Sequence, residues 1–352
     1  MTHRRLAGTA LLIMALCLAS VADRLHAEDD EALLKQAQAL FKPLPQTMET
    51  PEFPVTPARV ALGRVLFFDP RWTLEGNVSC ATCHQPALYG TDALPKSIGV
   101  QHRTHPRNAP TVLNAGLNFI QHWWGDRKNL EDQAQQALIG VFSSGHTDPA
   151  VVTARIEAIE GYASLFQRAF PEDTKPITPA NIGKAIGAYE RTLLSPSPFD
   201  AYLSGDTQAL SPMARSGLQR FISRGCASCH NGTGVGGQMF QKFGVVEEYW
   251  NATASREIDK GRFGLTKDPA DLYVFKVPSL RNAAKTPPYF HDGSVATLGE
   301  AVKVMGRVQL GITLPDTDIG EIVAFIEALT GTLPAGFVTA PVLPSSSVKP
   351  GP

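Results

Sequence analysis

Two copies of one pentapeptide constrain this chain more than any other feature of its 352 residues: Cys80-Ala81-Thr82-Cys83-His84 and Cys226-Ala227-Ser228-Cys229-His230. C-x-x-C-H is the attachment signature of a c-type haem. Its two thiols become thioethers to the vinyl groups, and the adjacent imidazole is held where it binds the iron axially. A single copy also serves as a redox dithiol or half a zinc site. Two copies that use every cysteine except Cys17 point instead to two covalently bound haems, rather than to structural zinc or two disulfides.

The N-terminus indicates the compartment. Arg4 and Arg5 precede an apolar run from Leu6 to Val21 and then small residues, the layout of a secretory signal peptide cut after Ala22 or Ala27. The run is short for a membrane-spanning helix, which needs about 20 apolar residues. Cys17 follows Leu16, where a lipoprotein anchor requires a small residue. Cleavage removes Cys17 and leaves a periplasmic protein with no membrane attachment. The 32 Lys+Arg against 33 Asp+Glu, a net charge of −1, give no basic excess for a nucleic-acid surface. A chain that is 43% hydrophobic and 18% charged is globular and long enough to bury a sizeable core.

Helical periodicity recurs around both motifs. Residues 28–50 read as a helical lead-in broken by Pro51, Pro54 and Pro57. Residues 57–68 place Val60, Leu62, Leu66 and Phe67 on one face ahead of the first motif. Residues 85–115 are loop-rich, 127–172 and 179–194 read as helices, and Pro196-Ser197-Pro198 reads as a linker. Residues 207–225 form a helix leading into the second motif. Ile319, Ile322, Val323, Ile326 and Leu329 recur at helical spacing in a last helix that Asp316 caps and Gly331 stops. No strand-rich repeat appears, and the Pro/Ser-rich end from Pro341 is expected to be disordered. The expected organisation is a signal peptide (1–27), an N-terminal haem domain (28–198), a C-terminal haem domain (199–335) and a disordered tail (336–352).

Several strings resemble the bacterial di-haem cytochrome c peroxidase and MauG superfamily: LGRVLFFDPRWT, HPRNAPTVLNA, YVFKVPSLRNAAKTPPYFHDGSVATLGEAVKVM and DIGEIVAFIEALTG. The resemblance covers residues 45–332 and implies a mainly α fold. Two cytochrome c-like haem domains would pack face to face, with the active site near their interface. It implies that His84 is the proximal ligand of a peroxidatic haem and His230 that of an electron-transfer haem. Met305 would be the sixth ligand of the second haem, a ligation that raises the reduction potential; read alone, a Met is more often a core residue. Trp123 corresponds to the family's electron-relay tryptophan, with Trp124 as the alternative under a one-residue shift. Asn108, Thr286 and Pro288 match the ligands of an interdomain calcium ion, whose hard oxygen chemistry suits them; otherwise they are turn residues. His291 is read as bonding a haem propionate or a backbone group.

The sequence departs from the family on the side where peroxide reacts. A proton must move between the peroxide oxygens there, and the family supplies a Gln and, ten residues later, a Glu. Gln133 matches the first, but Ser143 and Ser144 stand where the Glu is expected, with His146 and Asp148 as nearby substitutes. His102, His105 and His122 are candidates to face the first haem. Loss of the Glu favours a MauG-like enzyme that reacts with hydrogen peroxide, forms a high-valent iron state shared between both haems and oxidises a tryptophan on a partner protein, such as a copper-binding one. Met305 favours the alternative, a cytochrome c peroxidase that reduces peroxide to water with electrons from a small cytochrome or cupredoxin. A non-enzymatic di-haem electron carrier is a second alternative.

Overall fold

Proline opens helix after helix. The structure, a computed structural model, describes residues 30–345; the signal peptide with Cys17 and residues 346–352 lie outside them. The longer helices are α1 (residues 30–40), α2 (Pro57–Phe68), α3 (Leu130–Ala137), α4 (Pro149–Glu157), α5 (Gly161–Ala169), α6 (Pro179–Glu190), α7 (Pro198–Leu203), α8 (Pro212–Ser223), α9 (Leu298–Leu310) and α10 (Asp316–Glu327). Pro57, Pro149, Pro179, Pro198 and Pro212 stand in first turns, where the missing N–H costs nothing. The hydroxyls of Thr56, Thr178 and Ser211 cap α2, α6 and α8 by accepting a backbone N–H three residues on. Among the described residues the only sheet is an antiparallel pair, Phe240–Lys242 with Val274–Lys276, Phe240 facing Lys276. The chain is predominantly helical, as expected.

Two hydrophobic cores form. The first gathers α2, α4, α5 and α6 around Leu66, Phe67, Ile156, Phe166 and Ile186. The second gathers α7, α8 and α10 around Phe199, Leu218, Ile322 and Phe325. In each, the helix ahead of the haem motif crosses another at a glycine. A Cβ on Gly63 of α2 would overlap the Ala185 carbonyl oxygen of α6, and one on Gly217 of α8 the Glu321 carbonyl oxygen of α10.

The two halves also share a hydrogen-bonded joint. Asn114 and Asn282 both adopt the left-handed conformation (φ 59° and 63°) that asparagine tolerates. Their backbone N–H groups donate to Leu193 and Leu329 carbonyls, at 2.9 and 3.1 Å. Their side-chain oxygens accept from Ser195 N and Gly331 N, at 3.0 and 2.9 Å. Both side-chain NH₂ groups donate to one hydroxyl, Ser195 Oγ, at 2.7 and 2.8 Å. The flanking strings Pro110-Thr111-Val112-Leu113-Asn114-Ala115 and Pro278-Ser279-Leu280-Arg281-Asn282-Ala283 are counterparts. Ser195, which directly precedes the Pro196-Ser197-Pro198 segment read as a linker, is therefore a buried joint between the halves.

Two expectations about the last helix are corrected. Asp316 is the first residue of α10, whose N-cap is Pro315; the acid favours the helix dipole from inside the first turn. Gly331 does not stop α10, which ends at Glu327; it is required because its backbone lies against the Ser195 carbonyl, where a Cβ would overlap. The two cores also draw on residues beyond the expected domain bounds, 28–198 and 199–335. α1 precedes the first core in sequence but packs on the second, where Phe41 meets Phe199 at 5.4 Å and Phe325 at 6.5 Å between ring centroids. The tail expected to be disordered from 336 instead returns to the first core: Phe337, fully buried in a single turn (Ala335–Val338), lies 6.4 Å from Phe67. The Pro344 carbonyl accepts from Arg71 Nη1 at 3.0 Å.

This docking predicts that Phe337→Ala destabilises the protein by about 3–5 kcal/mol, the cost of truncating a buried aromatic. A shift in the guanidinium unfolding midpoint reads it. An unchanged midpoint would mean the tail is not part of the core.

Candidate functional site

Each motif turns its cysteines into protein. The first occupies a single helical turn, Cys80–Cys83, with His84 as its C-cap; the second is a 3₁₀ turn, Cys226–Ser228. All four cysteines are free. Burial pushes the Cys83 and Cys226 thiols up to about 11 and Cys80 higher still, so the unmodified side chains are neutral thiols rather than reactive thiolates.

His84 Nδ1 lies 3.0 Å from the Gly90 carbonyl oxygen, a bond that leaves Nε2 free to bind a metal. Burial lowers its pKa, opposed by the Gly90 bond and the Asp92 carboxylate. His230 is deeper: burial drives it down to about 4, and its Nδ1 has no well-formed hydrogen bond although the Pro278 and Val235 carbonyls turn toward it. A Cβ on Gly236 (φ +116°) would overlap the Pro278 carbonyl and crowd His230 Nδ1, so glycine lets the backbone wrap the ring.

A cavity opens over the second motif, lined by Cys226, Cys229, His230 and, from α9, Met305. Its walls are mainly apolar, with Leu280, Val302 and Ile322 among them. A buried neutral imidazole, a thioether and two thiols around an apolar space fit a covalently held haem.

The same cavity brings together Trp123, Asn108, Thr286 and Pro288. Trp123 Nε1 donates to the Asn108 carbonyl at 3.0 Å, and Asn108 Nδ2 to Leu94 O at 2.8 Å, which leaves the Asn108 side-chain oxygen free to accept. Trp123 and His291 stand at the same distance along the chain from their counterpart asparagines, and their rings meet edge to face at 6.3 Å. Reciprocal backbone bonds join their segments: Asn108 N to His291 O at 2.8 Å and Lys276 N to Trp123 O at 2.7 Å. Trp124 does not line the cavity; Arg107, paired with Asp259 at 2.6 Å, lies over its ring at 4.1 Å. His291 Nε2 is buried without a partner.

On the side of the first motif, His122 opposes protonation of both His84 and His105, so the three imidazoles share one neighbourhood. His122 Nδ1 pairs with Asp126 Oδ1 at 2.8 Å. Burial would raise the Asp126 carboxyl, but His122 and Arg127 together hold it below its ordinary value. His105 packs on Phe142 at 5.0 Å, whereas His102 faces solvent. Gln133 is half-buried on α3. Ser143 and Ser144 are committed to the end of α3: their hydroxyls each donate at 2.7 Å, to Ala137 O and Leu138 O. Asp148 is exposed and caps α4 through Ala150 N at 2.9 Å. His146 is buried with Nε2 unpartnered. The charges acting on His84 come from Asp92 and His122, not from His146 or Asp148. Asp92 and the His122–Asp126 pair were not singled out from sequence; the four-residue spacing of His122 and Asp126 was the available signal.

These features define a c-type di-haem redox protein. Residues 57–208 match the di-haem cytochrome c peroxidase family. The chain is 42% identical to the cytochrome c551 peroxidase of Pseudomonas aeruginosa, over 97% of this chain and 95% of that protein. It is 33% identical to the methylamine utilization protein MauG of Methylorubrum extorquens, over 96% and 95%. Among solved structures it resembles a MauG-like protein associated with microbial copper homeostasis, with a TM-score of 0.75 at 29% identity over 85% of this chain and 97% of that one. The chain belongs to the di-haem cytochrome c peroxidase and MauG superfamily, and it is a peroxidase-type oxidoreductase.

Burial, then the nearby Arg155 charge, lowers the pKa of His146. The unfolded chain then binds the extra proton first, so this group lowers stability as pH falls from about 6.5 toward the folded-state value. His146→Gln should lose less stability than the parent between pH 7 and pH 5, read by denaturant titration at each pH. Identical losses would place His146 in solvent.

Proposed function

We propose that this protein is a periplasmic cytochrome c peroxidase that reduces hydrogen peroxide to water with electrons from a small cytochrome or cupredoxin. The observation that carries it is that His230 and Met305 line one cavity that also holds Trp123. Relatives named cytochrome c peroxidase at 38–42% identity support it. We put the peroxidase ahead of the partner oxidation that the missing Glu favours in the sequence.

Cys80 and Cys83 would hold one haem and Cys226 and Cys229 the other, with His84 and His230 as proximal ligands and Met305 as the second haem's sixth ligand. When bound, the haems supply the one-electron exchange and the iron chemistry that peroxide reduction requires. The two halves would meet face to face, a packing supported by the reciprocal bonds of Asn108 with His291 and Lys276 with Trp123. Trp123 would carry charge between the centres, its indole N–H fixed on Asn108. Asp126 holds His122 Nδ1, leaving Nε2 to take up or deliver a proton on the His84 side, with Gln133 as a further polar group. The Asn108 side-chain oxygen and the Thr286 and Pro288 carbonyls would hold a calcium ion.

A second reading, MauG-like oxidation of a partner tryptophan, is favoured by one observation: the two serines at the expected Glu position are tied to backbone carbonyls and supply no acid.

Exported protein should carry two haems that survive denaturation, seen as added intact mass. Met305→Leu should retain both while changing the spin state or potential of only one; zinc or fewer haems, or unchanged spectra, would count against the assignment. Trp123→Phe should keep haem content and fold but lower peroxide turnover with a reduced cytochrome or cupredoxin by tenfold or more. If the parent turns over slowly with every such donor and instead adds oxygen to a tryptophan of a co-encoded partner, seen by mass spectrometry, the second reading replaces the first.

A further inference from the structure

Lys276 is the anomaly in the cavity wall. It belongs to the short strand Val274–Lys276 and is 7% exposed. Lysine is almost never buried to this extent without a partner. Its backbone is fixed, N–H to the Trp123 carbonyl at 2.7 Å, in register with Phe240 across the strand pair. Its side chain has no carboxylate: the acids of this region are engaged elsewhere, Asp259 with Arg107 and Asp200 with Arg281. Burial alone brings its pKa down, to about 8, with no charged neighbour contributing. An isolated buried ammonium costs several kcal/mol unless a counter-charge meets it.

Lys276 lines the same cavity as His230 and Met305. A haem entering there brings two carboxylates on an otherwise apolar disc. We infer that Lys276 is a carboxylate-binding residue whose ammonium pairs with a propionate of the haem held by Cys226 and Cys229. The inference rests on the haem assignment above. It makes Lys276 a tuning residue: a fixed cation beside the macrocycle favours the reduced, more negative iron state, so removing it should lower the midpoint potential.

The test uses full-length exported protein. Intact mass first establishes two covalent haems in the parent; their absence sinks the haem assignment itself, and this inference with it. In loaded protein, Lys276→Met should lower the midpoint of one haem by a tenfold change in its reduction equilibrium, about 59 mV for one electron. It should also shift that haem's propionate-bending band in the resonance Raman spectrum. Lys276→Arg should stay close to the parent in both readouts, and Lys276→Gln should lower the midpoint as Met does. Two bound haems with unmoved potentials and bands in the Met and Gln variants would overturn the pairing. So would failure of all three variants to take up haem while the parent does, which would make Lys276 a folding residue.

Discussion

Ser195 is the point about which the two halves are arranged. Its hydroxyl receives one side-chain N–H from Asn114 and one from Asn282, and the carbonyl oxygens of those two side chains return to the backbone of Ser195 and Gly331. The network is buried, so every member left unpaired would cost about 1–3 kcal/mol. It can be satisfied only if the segments after each haem motif are held in a fixed relation to each other. That relation brings the Trp123 and His291 rings together and pairs Asn108 with His291 and Lys276 with Trp123. Geometry at the cavity is thus inherited from a joint whose own residues take no part in its chemistry.

The cavity shows how burial does most of the electrostatic work. It lowers the pKa of His230 and Lys276 and raises that of Cys226, all by desolvation as the leading cause. The outcome differs by residue. A neutral imidazole is a ligand, a neutral thiol is a site for thioether formation, and an ammonium without a partner is a demand for an anion. On the first-motif side burial again leads for His84 and Cys83, with the Asp92 carboxylate acting on both as a lesser cause, and Asp126 fixes His122. The two centres are related in backbone but differ in the charges around them.

The crossing of the termini bears on stability. Phe41 enters the second core and Phe337 the first. Among the described residues, the segments carrying Phe41 and Phe337 therefore each clamp the half that lies farther from them in sequence.

Local chemistry was legible in the residues themselves. The C-x-x-C-H pairs and the capped helices depend on neighbours within one turn or one motif, whereas Met305 and Trp123 were singled out only through the family resemblance. The paired strings around Asn114 and Asn282 were also present, but nothing in them announces that both side chains reach one serine. Linear reading did not show that Phe41 joins the second core and Phe337 the first, because core membership is set by which aromatic fills which gap, not by order along the chain. It offered His146 and Asp148 as equivalent acids, whereas the fold buries one and spends the other on a helix cap. It left Trp123 and Trp124 as alternatives, while packing turns the first to the cavity and sets the second beneath Arg107. Sequence by itself determined the attachment chemistry and the helices, because thioether formation and helix capping are short-range. Only tertiary structure decided which groups share a cavity and which charge is left without a partner, because desolvation depends on residues more than a hundred positions apart.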